Sequence, residues 1–301
     1  TYTDVPVLGA VGRADEVRLL ERHLGLVPSN EESEALEKVD SIARFVADSV
    51  DLDKLEALAQ PLNLPEPECF TASMTIADLR IGVARDSALG FYYADDLDRL
   101  QQLGAELVDV DTLTDEALPE NLDGLFIGGG FPESFGAALE ANQSMRQSIA
   151  RAIEDGLPVY AECGGLMYLS QSLEQDESVH QMVGVVPGRS VMHARPVGRG
   201  YIKLQGQIEH SWAYQSDVIN AHEFHYSDLV WEGEEPLVGV QMVKRGHGID
   251  GKQDGFQYRN LLAGYAHMRN TRSFPWCEKF IDFVRQCKRD RKLSESLARQ
   301  A

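Results

Sequence analysis

The stretch Pro158-Val159-Tyr160-Ala161-Glu162-Cys163-Gly164-Gly165-Leu166-Met167-Tyr168-Leu169 decides how this chain is read. An apolar strand ends, a thiol follows, two glycines permit a sharp turn, and an apolar helix begins. That order is a nucleophile elbow with sulfur in place of a serine hydroxyl. The turn presents the sulfur at the edge of a sheet, and the amino end of the following helix favours thiolate. The Gly164 amide is placed to meet an oxyanion formed on an attacked carbonyl. A buried structural cysteine in a strand-to-helix turn accounts for the same residues, so the flanking sequence has to decide.

Upstream, Gly124-Leu125-Phe126-Ile127 reads as a strand running into Gly128-Gly129-Gly130-Phe131-Pro132-Glu133, with a helix over 144–155 before the elbow. Earlier still come a strand over 79–84, a helix over 92–103 and a strand over 106–110. Alternating short strands and helices argue a parallel sheet with helices on both faces and a site at the carboxyl ends of its strands. Both glycine loops then emerge at one sheet edge, where the Gly129 and Gly130 amides approach a ligand with no side chain intervening. The loop lacks the Lys-Ser/Thr of a phosphate-binding loop. Downstream, strand-like runs at 201–204 and 237–243 between glycine turns predict an antiparallel extension. A last strand over 262–267 leads to a helix over about 276–288.

A cysteine nucleophile needs a base distant in sequence and adjacent in space. His267, in Leu262-Ala263-Gly264-Tyr265-Ala266-His267-Met268-Arg269, ends the last strand, where a parallel sheet sets it beside the elbow. A histidine that merely caps a strand end fits the same position. His222 and His225, in Ala221-His222-Glu223-Phe224-His225-Tyr226-Ser227, have His-x-x-His spacing without the further ligands that zinc requires, so no metal site is expected and the pair is read as shaping a substrate pocket.

The 301 residues carry a formal charge of −20, with 43% hydrophobic and 25% charged side chains, which is globular composition. An acidic chain is a poor ligand for nucleic acid, whose binding draws on clustered Lys and Arg. No run reaches the roughly 20 apolar residues of a membrane span. Four cysteines without a close pair fit a reducing cytoplasm. The basic stretch 269–301 reads as a solvated terminal helix. Near the start, Val5-Pro6-Val7-Leu8-Gly9-Ala10-Val11 reads as a short buried strand, and 33–59 as an amphipathic helix that gives way to a shorter one at Val50-Asp51. Pro61, Pro65 and Pro67 mark a linker over 61–77. The expected organisation is an incomplete domain over 1–60, that linker, and a complete sheet domain over 78–301.

Taken together, Ala84-Arg85-Asp86 with Phe91-Tyr92-Tyr93, the Gly-Gly-Gly-Phe-Pro-Glu loop, the elbow, Ala221 to Ser227 and Gly264-Tyr265-Ala266-His267 resemble the cobyrinate a,c-diamide synthase family. The carboxy-terminal part of that family is a class I-type glutamine amidotransferase domain. The resemblance implies an α/β fold with a flavodoxin-like, mostly parallel sheet and an antiparallel extension. Residues 1–60 resemble the end of the family's α/β ATP-binding domain, without its P-loop. Cys163 falls on the family's nucleophile and His267 on its activating histidine, with Gly129, Gly130 and Gly164 around the oxyanion and glutamine.

The partners implied are glutamine, a carboxylated tetrapyrrole, and an ATP-binding domain or subunit that uses ATP and magnesium. No cofactor is expected in this chain, and a homodimer is compatible with it. Arg195, Arg199 and Arg269, with His222 and His225, are the candidates for contacting the tetrapyrrole. Classical glutamine amidotransferases carry Glu two residues after the histidine; here that position is Arg269, which leaves a Cys-His dyad. The same position leaves sirohydrochlorin or sirohaem as fitting an acceptor as the corrin precursor. A non-catalytic tetrapyrrole- or partner-binding domain, or a cysteine hydrolase of a small amide, are the alternatives.

Overall fold

The chain divides into two units, Thr1–Thr71 and Ala72–Ala301. The computed structural model describes residues 4–19, 21–22, 25–26, 35–59, 76–207, 212–213 and 216–298. Most of the stretch expected as a linker over 61–77 lies outside the described residues.

In the first unit, β1 (Glu21–Arg22) and β2 (Gly25–Leu26) form a short antiparallel ladder, followed by α1 (Ala35–Ser49) and α2 (Leu52–Leu58). The helical periodicity expected over 33–59 breaks where Asp51 caps α2, its side chain accepting from the Lys54 amide at 3.0 Å. The buried strand expected at Val5 to Val11 does not form. Val5 and Val7 are 70% and 80% exposed, and only an isolated bridge joins Gly9 to Val50. Apolar alternation makes a strand only where a ladder receives its backbone groups, and β1–β2 does not pair with this segment.

The second unit is built on β3 (Leu79–Ala84), β5 (Ala105–Val110), β6 (Gly124–Ile127), β8 (Val159–Glu162), β17 (Phe256–Tyr258) and β18 (Leu261–Gly264), in the order β17-β18-β8-β6-β3-β5. All neighbours are parallel except β17 and β18. Successive side chains of each central strand are buried on alternate faces of the sheet. Leu125, Ile127, Val159, Ala161, Leu261 and Ala263 pack on one face with Met145, Ile149 and Ile153 of α5 (Gln143–Glu154). Phe126, Tyr160 and Leu262 pack on the other with Leu100 of α3 (Ala94–Gln102) and with Trp276, Phe280 and Val284 of α7 (Trp276–Ala298). Burial on both faces explains why these strands read as continuous apolar runs.

Short elements complete the upper edge: β4 (Leu89–Phe91) pairs with β7 (Gly129–Gly130), α4 (Gly136–Ala141) precedes α5, and α6 (Gly164–Leu169) follows the elbow. The antiparallel extension forms two sheets. One holds β9 (Ser170–Gln175), β10 (Ser178–Gln181), β11 (Val186–Met192) and β14 (Ser227–Trp231). The other holds β12 (Gly198–Gly206), β13 (Ile219–His225), β15 (Gln241–Arg245) and β16 (Gln253–Asp254).

Two strands differ from expectation. The run at 237–243 is strand only from Gln241, because the Gly239 amide is taken by the Gln253 side chain. The last strand ends at Gly264, because Asp254 accepts the Tyr265 and Ala266 amides, each at 3.0 Å. The basic tail is in part ion-paired: Arg285 grips Asp78 through two nitrogens at 2.8 Å, and Lys288 and Arg291 converge on the buried Asp123. Among the described residues no helix is long and apolar enough to cross a membrane.

Candidate active site

Cys163 follows β8 directly and adopts φ 48°, ψ −103°, a left-handed conformation outside the range that most side chains tolerate. Its amide donates to the Gly264 carbonyl at 2.8 Å, and its carbonyl accepts from Met167 at 3.1 Å, so both backbone groups are held while the side chain is turned out of the sheet. Gly164 approaches the other glycine loop closely. A Cβ there would lie 2.8 Å from the Gly130 nitrogen, and one on Gly130 would lie 2.0 Å from the Ala88 carbonyl oxygen. Only glycine lets the two loops approach this closely. The helix after the elbow is six residues long, so the main cation facing the sulfur is a side chain.

That side chain is His267. It lies beyond β18, where an isolated antiparallel bridge joins it to His222: the His267 amide donates to the His222 carbonyl at 2.7 Å, and the reverse bond is 3.2 Å. Its Nδ1 is 3.4 Å from Glu162 Oε2, and its side chain is 14% exposed. Burial opposes charge on this ring, but hydrogen bonds with Cys163 and Glu162 and their charges outweigh it and raise the His267 pKa to about 10. His222 moves the other way, lowered first by burial and then by the charge of His267. The Cys163 thiol is 6% exposed and faces the Phe224 carbonyl at 3.9 Å, so β13 closes the site from the antiparallel sheet.

The structure brings Cys163, His267, Gly129, Gly130, Gly164 and His222 together. A Cβ on Gly129 would lie 2.6 Å from the His267 ring. His225 goes elsewhere. Because it is three residues from His222 on a strand, it faces the interior, where Nδ1 meets the Ser227 carbonyl at 2.8 Å and the ring stacks on Tyr265 at 3.8 Å. Its ring is thus buried on the face opposite to that of His222, unlike the pocket-shaping pair expected from the spacing. Among the described residues no group of three or more His, Cys, Asp or Glu side chains is arranged to hold a metal ion.

The arginines divide. Arg269 is committed to Asp95, with Asp96 at 4.0 Å, and lies over the Tyr93 ring at 4.6 Å. Arg199 lies over Phe224 at 5.8 Å, directly across the β12–β13 ladder from it. Arg195 is exposed in the turn between β11 and β12. Two contributors escaped sequence reasoning. Tyr92 donates to the Ala84 carbonyl and accepts from the Gly128 amide at 2.9 Å, anchoring the glycine loop to β3. Glu162 was visible beside the cysteine, but nothing in the sequence points it toward His267.

With this geometry in hand, residues 80–273 match the family described as the CobB/CobQ-like glutamine amidotransferase domain. The chain belongs to this family. It is 40% identical over 292 residues to the cobyrinate a,c-diamide synthase of Magnetococcus marinus, covering 95% of this chain and 62% of that protein. It is 41% identical over 267 residues to the enzyme of that name from Archaeoglobus fulgidus, covering 88% and 57%. The chain thus spans about three-fifths of the length of the curated relatives it matches. Among solved structures, a candidate GMP synthase component of Thermoplasma acidophilum superposes with a TM-score of 0.51 at 17% identity, over 72% of this chain and 98% of that one. PurLQS from Thermotoga maritima gives 0.50 at 15%, over 68% and 96%. At these identities the likeness is one of fold, and the fold is the mostly parallel sheet described above.

Proposed function

We propose that this amidotransferase domain releases ammonia from glutamine through a Cys163 thioester, for transfer to a side-chain carboxylate of a tetrapyrrole. The observation that carries the reading is His267 held between Glu162 and the Cys163 sulfur at a strained strand-to-helix elbow. Cys163 thiolate attacks the glutamine side-chain amide carbon. The Gly164 amide and the Gly129-Gly130 loop stabilise the oxyanion that forms. The His267 imidazolium, favoured at neutral pH by its raised pKa, protonates the departing nitrogen and ammonia leaves. Neutral His267 then takes a proton from water, hydroxide adds to the thioester carbon, and collapse returns Cys163 and releases glutamate.

The acceptor is inferred from the relatives named cobyrinate a,c-diamide synthase. Corrin and sirohydrochlorin-type rings both bear carboxylates that such chemistry amidates. Arg199, on the outer face of the β12–β13 ladder beside Phe224, is the better placed arginine for such a carboxylate, since Arg269 already faces Asp95. The sequence has no G-x-x-x-x-G-K-S/T, and among the described residues no group of three or more His, Cys, Asp or Glu side chains is arranged to hold a metal ion. Activation of the acceptor with ATP and magnesium is assigned to an ATP-binding part of the amidotransferase on the strength of the family resemblance.

A glutamine hydrolysis assay on this chain, with Cys163→Ser as control, tests the reading. Glutamate release that disappears in the variant is expected. Equal release by both proteins, or modification of another cysteine by a glutamine-like diazoketone, would overturn it.

A further inference from the structure

We propose that Glu162, the residue immediately before the nucleophile, is the positioning carboxylate that fixes the ring of His267 and selects its working tautomer. The inference rests on the glutamine-hydrolysing reading and extends it. Arg269 holds the position two residues after the histidine and turns away to Asp95, so no carboxylate reaches His267 from there. Glu162 arrives from the other side. It ends β8 opposite Gly264 of β18, and the chain beyond Gly264 carries His267.

The carboxylate is held so firmly that one oxygen is left for the imidazole. Oε1 accepts the Tyr160 hydroxyl at 2.5 Å and the Met268 amide at 2.8 Å. Burial and the adjacent charge of Glu162 keep the Tyr160 phenol protonated far beyond neutral pH, so it remains a donor. Two donors on Oε1 set the carboxylate plane, and Oε2 faces His267 Nδ1 at 3.4 Å. Nδ1 thus keeps its proton toward Glu162, and Nε2 is left for the sulfur and the departing nitrogen. The Met268 amide is part of the backbone next to His267, so the same carboxylate locates the ring and the chain that bears it. Glu162 touches no reacting atom.

Glu162→Gln inverts this arrangement without changing shape. The amide oxygen stays with the Tyr160 hydroxyl and the Met268 amide, which require an acceptor, so the NH2 faces Nδ1. An NH2 donor forces Nδ1 to accept and moves the ring proton to Nε2, the wrong tautomer for taking a proton from sulfur or water. The expected result for glutamine hydrolysis is a kcat roughly a thousandfold lower, with KM within about threefold of wild type.

A role in folding alone would not alter the ring, so the decisive readout is 15N-edited NMR of histidine. In the wild-type chain His267 carries its Nδ1 proton toward Glu162, and the variant loses that signal. Should the variant not fold, Tyr160→Phe frees one anchor of the carboxylate and is expected to shift the same resonance and lower kcat. Wild-type kcat in Glu162→Gln, or an unchanged His267 resonance in the folded variants, overturns the proposal. A wild-type chain without Cys163-dependent hydrolysis would instead refute the glutamine reading, and the resonance would still decide the contact.

Discussion

Gly129→Ala isolates the placement of the base from the integrity of the fold. All three heavy atoms nearest to a Cβ built on Gly129 belong to His267: Cε1 at 2.6 Å, Nε2 at 3.4 Å and Nδ1 at 3.6 Å. Ordinary contact begins near 3.4 Å, so the ring must withdraw by about 0.8 Å. Misplacement of about 1 Å costs on the order of a hundredfold in rate. A methyl group forced into a packed site costs about 1–3 kcal/mol. Glutamine hydrolysis at saturating substrate should therefore fall roughly a hundredfold in kcat, with the variant still folded and its Tm lower by about 2–12 °C. Gly130→Ala supplies the contrast, because its Cβ meets the Ala88 backbone oxygen at 2.0 Å and must disturb β4 and β7 themselves. A Gly129→Ala variant that keeps more than a third of wild-type kcat would refute the placement of His267 against this loop.

Two further outcomes follow from the buried groups. Burial, with Asp96 nearby, pushes the Cys277 thiol well up, so limiting iodoacetamide should modify Cys163 before Cys277; peptide mass spectrometry reads the order, and the reverse order would contradict the site. Burial opposes ionisation of Glu223, but bonds from His225 and the Gly248 and His247 amides outweigh it and hold its pKa below the usual value of 4.5. A lowered folded pKa means that the stabilisation is complete above pH 4.5 and is lost as pH falls through the folded value. Glu223→Gln should cost about 2 kcal/mol at pH 7, or roughly 4–8 °C in Tm. The gap should narrow below pH 4, and a gap constant from pH 7 to 3 would exclude the carboxylate as its source.

The sheet was legible because its strands are buried on both faces and its loops carry glycine where backbones nearly touch. The proximity of Cys163 and His267 follows from the sequence pattern because each comes shortly after an apolar strand, β8 and β18, and parallel strands bring their carboxyl ends to one edge. The sequence could not tell which side of a strand end a side chain serves. Glu162 looked like a polar flank of the cysteine, and His225 looked equivalent to His222, although a strand sends residues three apart to opposite faces. The strand at Val5 to Val11 was over-read for a different reason: apolar alternation describes a segment, whereas a ladder needs a partner.

The elbow and the base are referenced to one element. Positive φ at Cys163 costs on the order of 1–3 kcal/mol, so it persists only where neighbouring bonds enforce it. One of those bonds is the Cys163 amide on the Gly264 carbonyl, and Gly264 is three residues from His267. Between them Asp254 fixes the Tyr265 and Ala266 amides, and Met268 on the far side is tied back to Glu162. A shift of β18 therefore carries the nucleophile's anchor and the base together, and their separation changes less than either position. The remaining freedom is rotation of the imidazole, which Glu162 and Gly129 restrict from two sides, while the His222 bridge holds the backbone that bears the ring. The antiparallel sheet, which contributes none of the atoms that bond to glutamine in this scheme, is thereby needed for the geometry of the reaction.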